Sequence, residues 1–384
     1  MRALTPDKLR FGAAYAGKWA SQRVGEALDR PELARPTQVC APLTSRCNFG
    51  CGFCPHPTAP VHHEMSLQEW KRILLELKDW LGTFRINFLG GEPFLHKDLF
   101  PILEFCAEQG IFAGITTNGS ALTEKNARRV CELGVFNVSI SLDSLDPARH
   151  DENRGFKGSW NKIMDGVEHL NRYRTEATRV CFRTTVMEWN VHQLVDMAAL
   201  ARAKGVVIGF QPVEYRDMEE DHDNPEDYTV PTDARSPRER FTALSLEAMP
   251  ENLVGNWVTS IDVLNQQVER LITLKGEGWQ ILNSPEHLRA MAQVFARPDF
   301  IFSIPRDCKA GWEDLIILPN GSVRGCSEQP TYGNVLHQPI REIWASTAAD
   351  KHRANCADCT RTCMNMYHWK RSVWEKAAMW WGYF

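Results

Sequence analysis

From Val39 to Gln211 short apolar runs alternate with amphipathic stretches, and this alternation narrows the fold more than any other feature. Phe84–Leu89, Phe112–Thr117, Val135–Leu142, Val180–Met187 and Val206–Gln211 read as strands, with one more just before Cys47. The stretches Ser66–Trp80, Asp98–Gln109, Glu124–Leu133, Ser159–Arg172 and Val191–Lys204 carry a helical period. Strand, helix, strand at this pitch predicts an α/β fold of parallel strands joined by crossover helices. Ligands of such sheets gather beyond the carboxyl ends of the strands.

The chain has 384 residues, 43% of them hydrophobic and 24% charged, enough for a large core and an appended unit. A formal charge of −4 gives no bias towards nucleic acid, and none is expected as a partner. No apolar stretch approaches a membrane span, and Met1–Ala20 lacks the apolar core of a signal peptide. With no export signal, the 12 cysteines point to a reducing cytoplasm and to metal binding rather than disulfides.

Cys47, Cys51 and Cys54 close the turn after the first strand, spaced to fill three corners of a [4Fe–4S] cube and leave the fourth iron open. A zinc knuckle is the alternative, but no second close pair follows, although His56, His62 and His63 are near. The segment Cys47–Cys54 resembles the signature of the radical S-adenosylmethionine (SAM) enzymes. The resemblance implies a partial (β/α)6 barrel, SAM chelated to the unique iron, and Phe53 beside the adenine. Three strand ends extend it. Gly90-Gly91-Glu92-Pro93 resembles the family's GGEP turn, where glycines let backbone approach the SAM amino group. Asn118 follows the third strand as a further SAM-site candidate. Alternation puts Ser139, Ser141 and Asp143 on one face, a polar lumen where the family contacts the SAM ribose and carboxylate. Arg183 is expected to find an anion, the SAM carboxylate being the candidate. On the same face, Cys181 is either a hydrogen-atom donor to a substrate radical or a small buried hydrophobe. Cys40, Cys106 and Cys131 read as buried.

Five further cysteines lie near the C-terminus: Cys308, Cys326, Cys356, Cys359 and Cys363. Asp314–Leu318 and Ser322–Arg324 flank Pro319-Asn320-Gly321, a hairpin signal. With Tyr332-Gly333-Asn334-Val335 and Ile343-Trp344, the region resembles the SPASM and shorter twitch domains that carry auxiliary [4Fe–4S] clusters. Five cysteines suit one such cluster, on Cys308, Cys326, Cys356 and Cys359 with Cys363 to spare; a four-cysteine zinc site would look similar.

The expected organisation is an N-terminal extension over residues 1–36, basic at Lys8, Arg10, Lys18 and Arg23, then a barrel over 37–300. An acidic stretch after about residue 213 (Glu214 to Asp227) is either a solvated loop or an overhang of the site. A cysteine-rich SPASM/twitch-like domain with a β-hairpin and C-terminal helix spans 301–384. Trp369, Val373, Ala377 and Trp380 share one face of the tail, a docked helix or a peripheral membrane contact. The resemblance implies reductive cleavage of SAM to a 5′-deoxyadenosyl radical, fed by a donor such as flavodoxin or ferredoxin, and hydrogen abstraction from the substrate. With a short extension and no evident leader-binding unit, the expected substrate is a small molecule, a sugar or aminocyclitol, or a lipid-linked glycan, oxidised or epimerised. Modification of a ribosomal peptide is the alternative, and a non-catalytic metal-binding scaffold is the alternative of another class.

Overall fold

The computed structural model describes residues 6–54, 63–213, 255–296, 308–326 and 329–357. The acidic stretch from Glu214 to Asp227, Cys359, Cys363 and the Trp-rich tail lie outside them. Helix α1 (Pro6–Ala27) leads into β1 (Gln38–Thr44), α2 (Leu67–Leu81), β2 (Arg85–Gly90), α3 (Leu99–Glu108), β3 (Phe112–Thr117), α4 (Glu124–Glu132) and β4 (Asn137–Ser141). Two helices, α5 (Pro147–Arg154) and α6 (Ser159–Tyr173), precede β5 (Arg179–Val186), α7 (Leu194–Ala203) and β6 (Val207–Pro212). Helices α8 (Ile261–Gly276) and α9 (Pro285–Ala296) follow, then α10 (Ala310–Glu313), β7 (Asp314–Ile317), β8 (Ser322–Arg324), β9 (Gly333–Asn334), α11 (Ile340–Trp344) and α12 (Thr347–Ala357).

Each of the first six strands lies parallel to its predecessor, in the order β6-β5-β4-β3-β2-β1. Adding every strand on the same side leaves all crossover helices on one face, so the sheet curls around the other as a partial barrel. Pleating sorts the side chains accordingly. Ile86, Phe88, Val138, Ile140, Val180 and Phe182 are fully buried in the core beneath the helices, among Trp70, Ile73, Leu74 and Leu77 of α2. The opposite positions are polar: Asn87 donates to Thr116 Oγ1 (3.0 Å), and Asn137 donates to Ser139 Oγ (2.9 Å) and accepts from Arg179 Nε (3.1 Å). The polar lumen read from alternation is present.

The N-terminal extension is a helix docked under the barrel. Phe11 meets Phe112 edge-on at 5.5 Å between ring centroids, and the Arg85 guanidinium lies 5.4 Å from the Phe11 ring. Lys18 is buried and donates to Thr83 O, while Gln22 donates to Arg35 O (2.8 Å) and Trp312 O (2.9 Å). All of these contacts reach the amino ends of strands, opposite the cysteine loop. Lys18, one of the basic residues of the extension, is an inward anchor.

The expected hairpin forms, but within the barrel's own sheet. β7 runs parallel to β1, pairing Gln38 with Asp314 and Cys40 with Ile316, and β8 and β9 follow antiparallel. Gly321, at φ +87°, closes the turn by donating to Leu318 O (3.0 Å). A side chain at Gly333 would sit 2.5 Å from Ile343, and Asn334 donates to Asn320 O (3.1 Å). The Gly333-Asn334 pair and the Ile343-Trp344 pair thus pack on each other.

Candidate metal centre

The loop after β1 is built on the C-terminal end of α5. Gly50 N donates to Arg154 O (3.1 Å) and Gly52 N to Asn153 O (3.4 Å), while the Phe49 ring stacks on Phe156 at 4.7 Å. Gly155 ends α5 at φ +60°, and a Cβ there would lie 2.7 Å from Gly50 O. Cys47, Cys51 and Cys54 are half-buried on this support. Cys47 Sγ receives Phe49 N (3.5 Å) and Asn118 Nδ2 (3.8 Å), and Cys51 Sγ receives Arg154 Nη1 (3.7 Å). Burial raises both thiols; the donors on Cys47 and the Arg154 charge at Cys51 pull back towards thiolate. Among the described residues no three Cys, His, Asp or Glu side chains converge closely enough for a single ion. Thiols aimed on by N–H donors and a guanidinium suit thiolate ligands of a cluster.

The turn after β2 braces this loop from below. Gly90 adopts φ +123°, and a Cβ on Gly90 or Gly91 would meet Thr44 O at 2.4 Å or Arg46 O at 2.1 Å. The glycines thus admit the chain leaving β1, a requirement internal to the protein. Gly91 N and Glu92 N donate to Thr44 O and Arg46 O, both at 2.8 Å, and Pro93 is buried. Glu92 is fully buried, accepting from Phe94 N (3.1 Å), Thr117 Oγ1 (2.8 Å) and Asn118 N (2.7 Å). Burial nevertheless pushes its carboxyl up to about 7. Asn118 also donates to Asn48 Oδ1 (2.8 Å), so one side chain ties the β3 end to the cysteine loop.

Asp143 is not an open acceptor at the end of β4. It is fully buried, with Oδ1 taking Thr185 N (3.0 Å) and Oδ2 taking Arg154 Nη2 (2.6 Å) and Asn153 Nδ2 (3.2 Å). Three donors of the protein thus converge on Asp143, and the side chain it holds, Arg154, faces the cysteines. Arg154 also lies 5.5 Å from the Phe53 ring. Sequence reading missed Arg154 because it assigned no helix to Pro147–Arg154, although Asp146-Pro147 at its start and Gly155 at its end are ordinary helix boundary signals. Ser139 is buried and Ser141 half-buried, paired in register with Cys181 and Arg183. Arg183 does face the lumen, its Nη1 3.1 Å from where a Cβ of Gly209 would stand. Cys181 shares that face but has no exposed surface, its thiol reaching Phe182 O at 3.2 Å. Cys106 and Cys131 are buried as expected, whereas Cys40 is only half-buried.

In the C-terminal region Cys326 and Cys356 are buried with Ala310 in one small cluster, and Cys308 packs against it. His352, one helical turn before Cys356, accepts from Gly325 N (3.1 Å) next to Cys326. Arg353 is clamped between Trp312 and Trp344, its guanidinium 4.9 and 4.8 Å from the two rings.

Residues 41–201 match the pattern of the radical SAM superfamily, and residues 308–364 that of SPASM, an iron–sulfur cluster-binding domain. The chain is similar to a PqqA peptide cyclase of Rhizobium meliloti, 22% identical over 86% of this chain and 81% of that protein. It is also similar to an AdoMet-dependent heme synthase of Methanosarcina barkeri, 25% identical over 80% and 82%. In fold it resembles Streptococcus suis SuiB bound to S-adenosylmethionine, with a TM-score of 0.60 and 16% identity over 83% of this chain and 68% of that one. SuiB has also been solved bound to its precursor peptide SuiA. These relatives overturn the expected sugar, aminocyclitol or lipid-linked glycan substrate, since their names concern peptides and haem. With SAM, a [4Fe–4S] cluster and auxiliary iron–sulfur as its cofactors, the chain belongs to the radical SAM superfamily and carries a C-terminal SPASM domain.

Proposed function

We propose that the protein is a peptide-modifying radical SAM enzyme. The observation that carries this reading is the similarity to a PqqA peptide cyclase, which spans 86% of this chain and 81% of that protein. The fold likeness to SuiB, solved with a precursor peptide, supports it. Cys47, Cys51 and Cys54 would hold three irons of a [4Fe–4S] cluster, leaving the fourth open to SAM. When bound, that cluster would supply the electron for reductive cleavage of SAM, fed by a flavodoxin- or ferredoxin-type donor of the cytoplasm. Around it the protein's part is placement. Phe53 flanks the adenine, the Gly90–Pro93 turn and Asn118 set the SAM amino end against the cysteine loop, and Ser139, Ser141 and Arg183 offer the lumen's polar contacts. Cys308, Cys326, Cys356 and Cys359 hold the auxiliary cluster.

The test is anaerobic. Protein reconstituted with iron and sulfide is given SAM, dithionite and either the small-peptide fraction or the tetrapyrrole fraction of its host. The expected result is more 5′-deoxyadenosine with the peptide fraction and a peptide lighter by two hydrogens, both lost in Cys47→Ala. Stimulation by tetrapyrroles alone would overturn the peptide reading in favour of a haem-related one.

A further inference from the structure

Arg154 belongs to none of the cysteine, glycine or strand-end motifs, yet it is the one cation in contact with a cysteine of the loop among the described residues. It is 7% exposed and reaches three groups at once. Nη1 lies 3.7 Å from Cys51 Sγ, Nη2 lies 2.6 Å from Asp143 Oδ2, and its backbone carbonyl takes Gly50 N at 3.1 Å. Asp143 is in turn fixed by Thr185 N at the far end of β5 (3.0 Å) and by Asn153 (3.2 Å). A planar guanidinium held in this fork cannot swing away from the sulfur. We propose that Arg154 is a positioning residue that sets the reduction potential of the cluster at Cys47, Cys51 and Cys54, with Asp143 as the counter-charge that meters its effect.

The physics is direct. Reduction adds one negative charge to the cluster. A fixed positive charge with an N–H donor at a ligand sulfur stabilises the reduced form and raises the potential, and a buried carboxylate behind that cation moderates the rise. The two charges therefore act with opposite sign. A purely structural role would give both substitutions the same result, a loosened loop and lost iron. The inference rests on the cluster and is independent of what the substrate is.

The test is an EPR-monitored redox titration of the reconstituted holoenzyme, following the signal that SAM perturbs so that the auxiliary cluster is set aside, together with iron and sulfide content. Arg154→Gln is expected to disfavour the reduced cluster about tenfold, a fall of about 59 mV for one electron. Asp143→Asn is expected to move the potential the other way. Arg154→Lys keeps the charge but loses the fork, and falls between wild type and Arg154→Gln. Either of two outcomes overturns the proposal: an unmoved potential in fully loaded Arg154→Gln, or displacement of Arg154→Gln and Asp143→Asn in the same direction. If Arg154→Gln does not fold, the sign of the Asp143→Asn shift against wild type decides alone, a fall or no change refuting it.

Discussion

Glu92 shows how a single side chain can be strained by its own usefulness. Three donors converge on its carboxylate, an arrangement that asks for the ionised form, yet complete burial pushes the group up to about 7. A folded value above the unfolded one means the folded chain binds the extra proton. The associated stability is fully present below about pH 4.5 and is lost as the pH rises through about 7, amounting to about 3 kcal/mol. Glu92→Gln removes the titration and sets an amide NH2 against Asn118 N–H, at a cost of about 1–3 kcal/mol. The expected outcome is that the advantage of wild type over Glu92→Gln, read as the difference in calorimetric midpoint, shrinks between about pH 5 and about pH 8. A difference constant with pH would mean that the carboxylate stays ionised throughout. The motif holding Glu92 was legible in sequence because its four residues are contiguous. Arg154 was not: Cys51 lies 103 residues away, and the helix α5 that turns Arg154 back onto Asp143 was not assigned.

Secondary elements were read to within a residue or two wherever an apolar period was long. Phe112–Thr117 and the start of Ser159–Tyr173 fall where expected, and α2 begins at a full capping box of Ser66 and Glu69. Short or weakly patterned elements escaped, α1 and α5 among them. α1 has no strong apolar stripe, since it lies across strand ends rather than on a sheet face, and α5 is eight residues of mostly polar side chains. Both do structural work that can be measured. Phe11→Ala removes an aromatic contact and a cation–π contact at a buried site, and is expected to lower stability by about 3–5 kcal/mol in denaturant titration. Gly155→Ala acts on the metal centre instead. Its Cβ would press on Gly50 O from a left-handed backbone, so the cysteine loop must lift from α5. Reconstituted Gly155→Ala is expected to retain less iron at the loop than wild type while keeping the wild-type far-ultraviolet circular dichroism; equal iron would mean that the loop tolerates the shift.

At the scale of the whole molecule, the auxiliary region is not a bead on a linker. Three backbone registers join β7 to β1. Trp344 is buried, donating to Pro31 O (3.2 Å) and meeting Trp80 of α2 at 5.8 Å, while Arg72 of α2 donates to Val335 O (2.7 Å). The same sheet thus carries the cysteine loop after its first barrel strand and the auxiliary cysteines around its added hairpin. Sequence could show two cysteine groups and a hairpin, but the parallel seam between β1 and β7 joins segments hundreds of residues apart and leaves no local periodic trace. This seam makes metal loading a property of the entire fold, because iron held by the auxiliary cysteines stabilises whatever unfolds with them. Anaerobic calorimetry of the holoprotein is therefore expected to give one transition, and chelation of the iron to move that whole transition to lower temperature. Two separate transitions, only one of them sensitive to chelation, would show that the barrel and the auxiliary region melt independently despite the shared sheet.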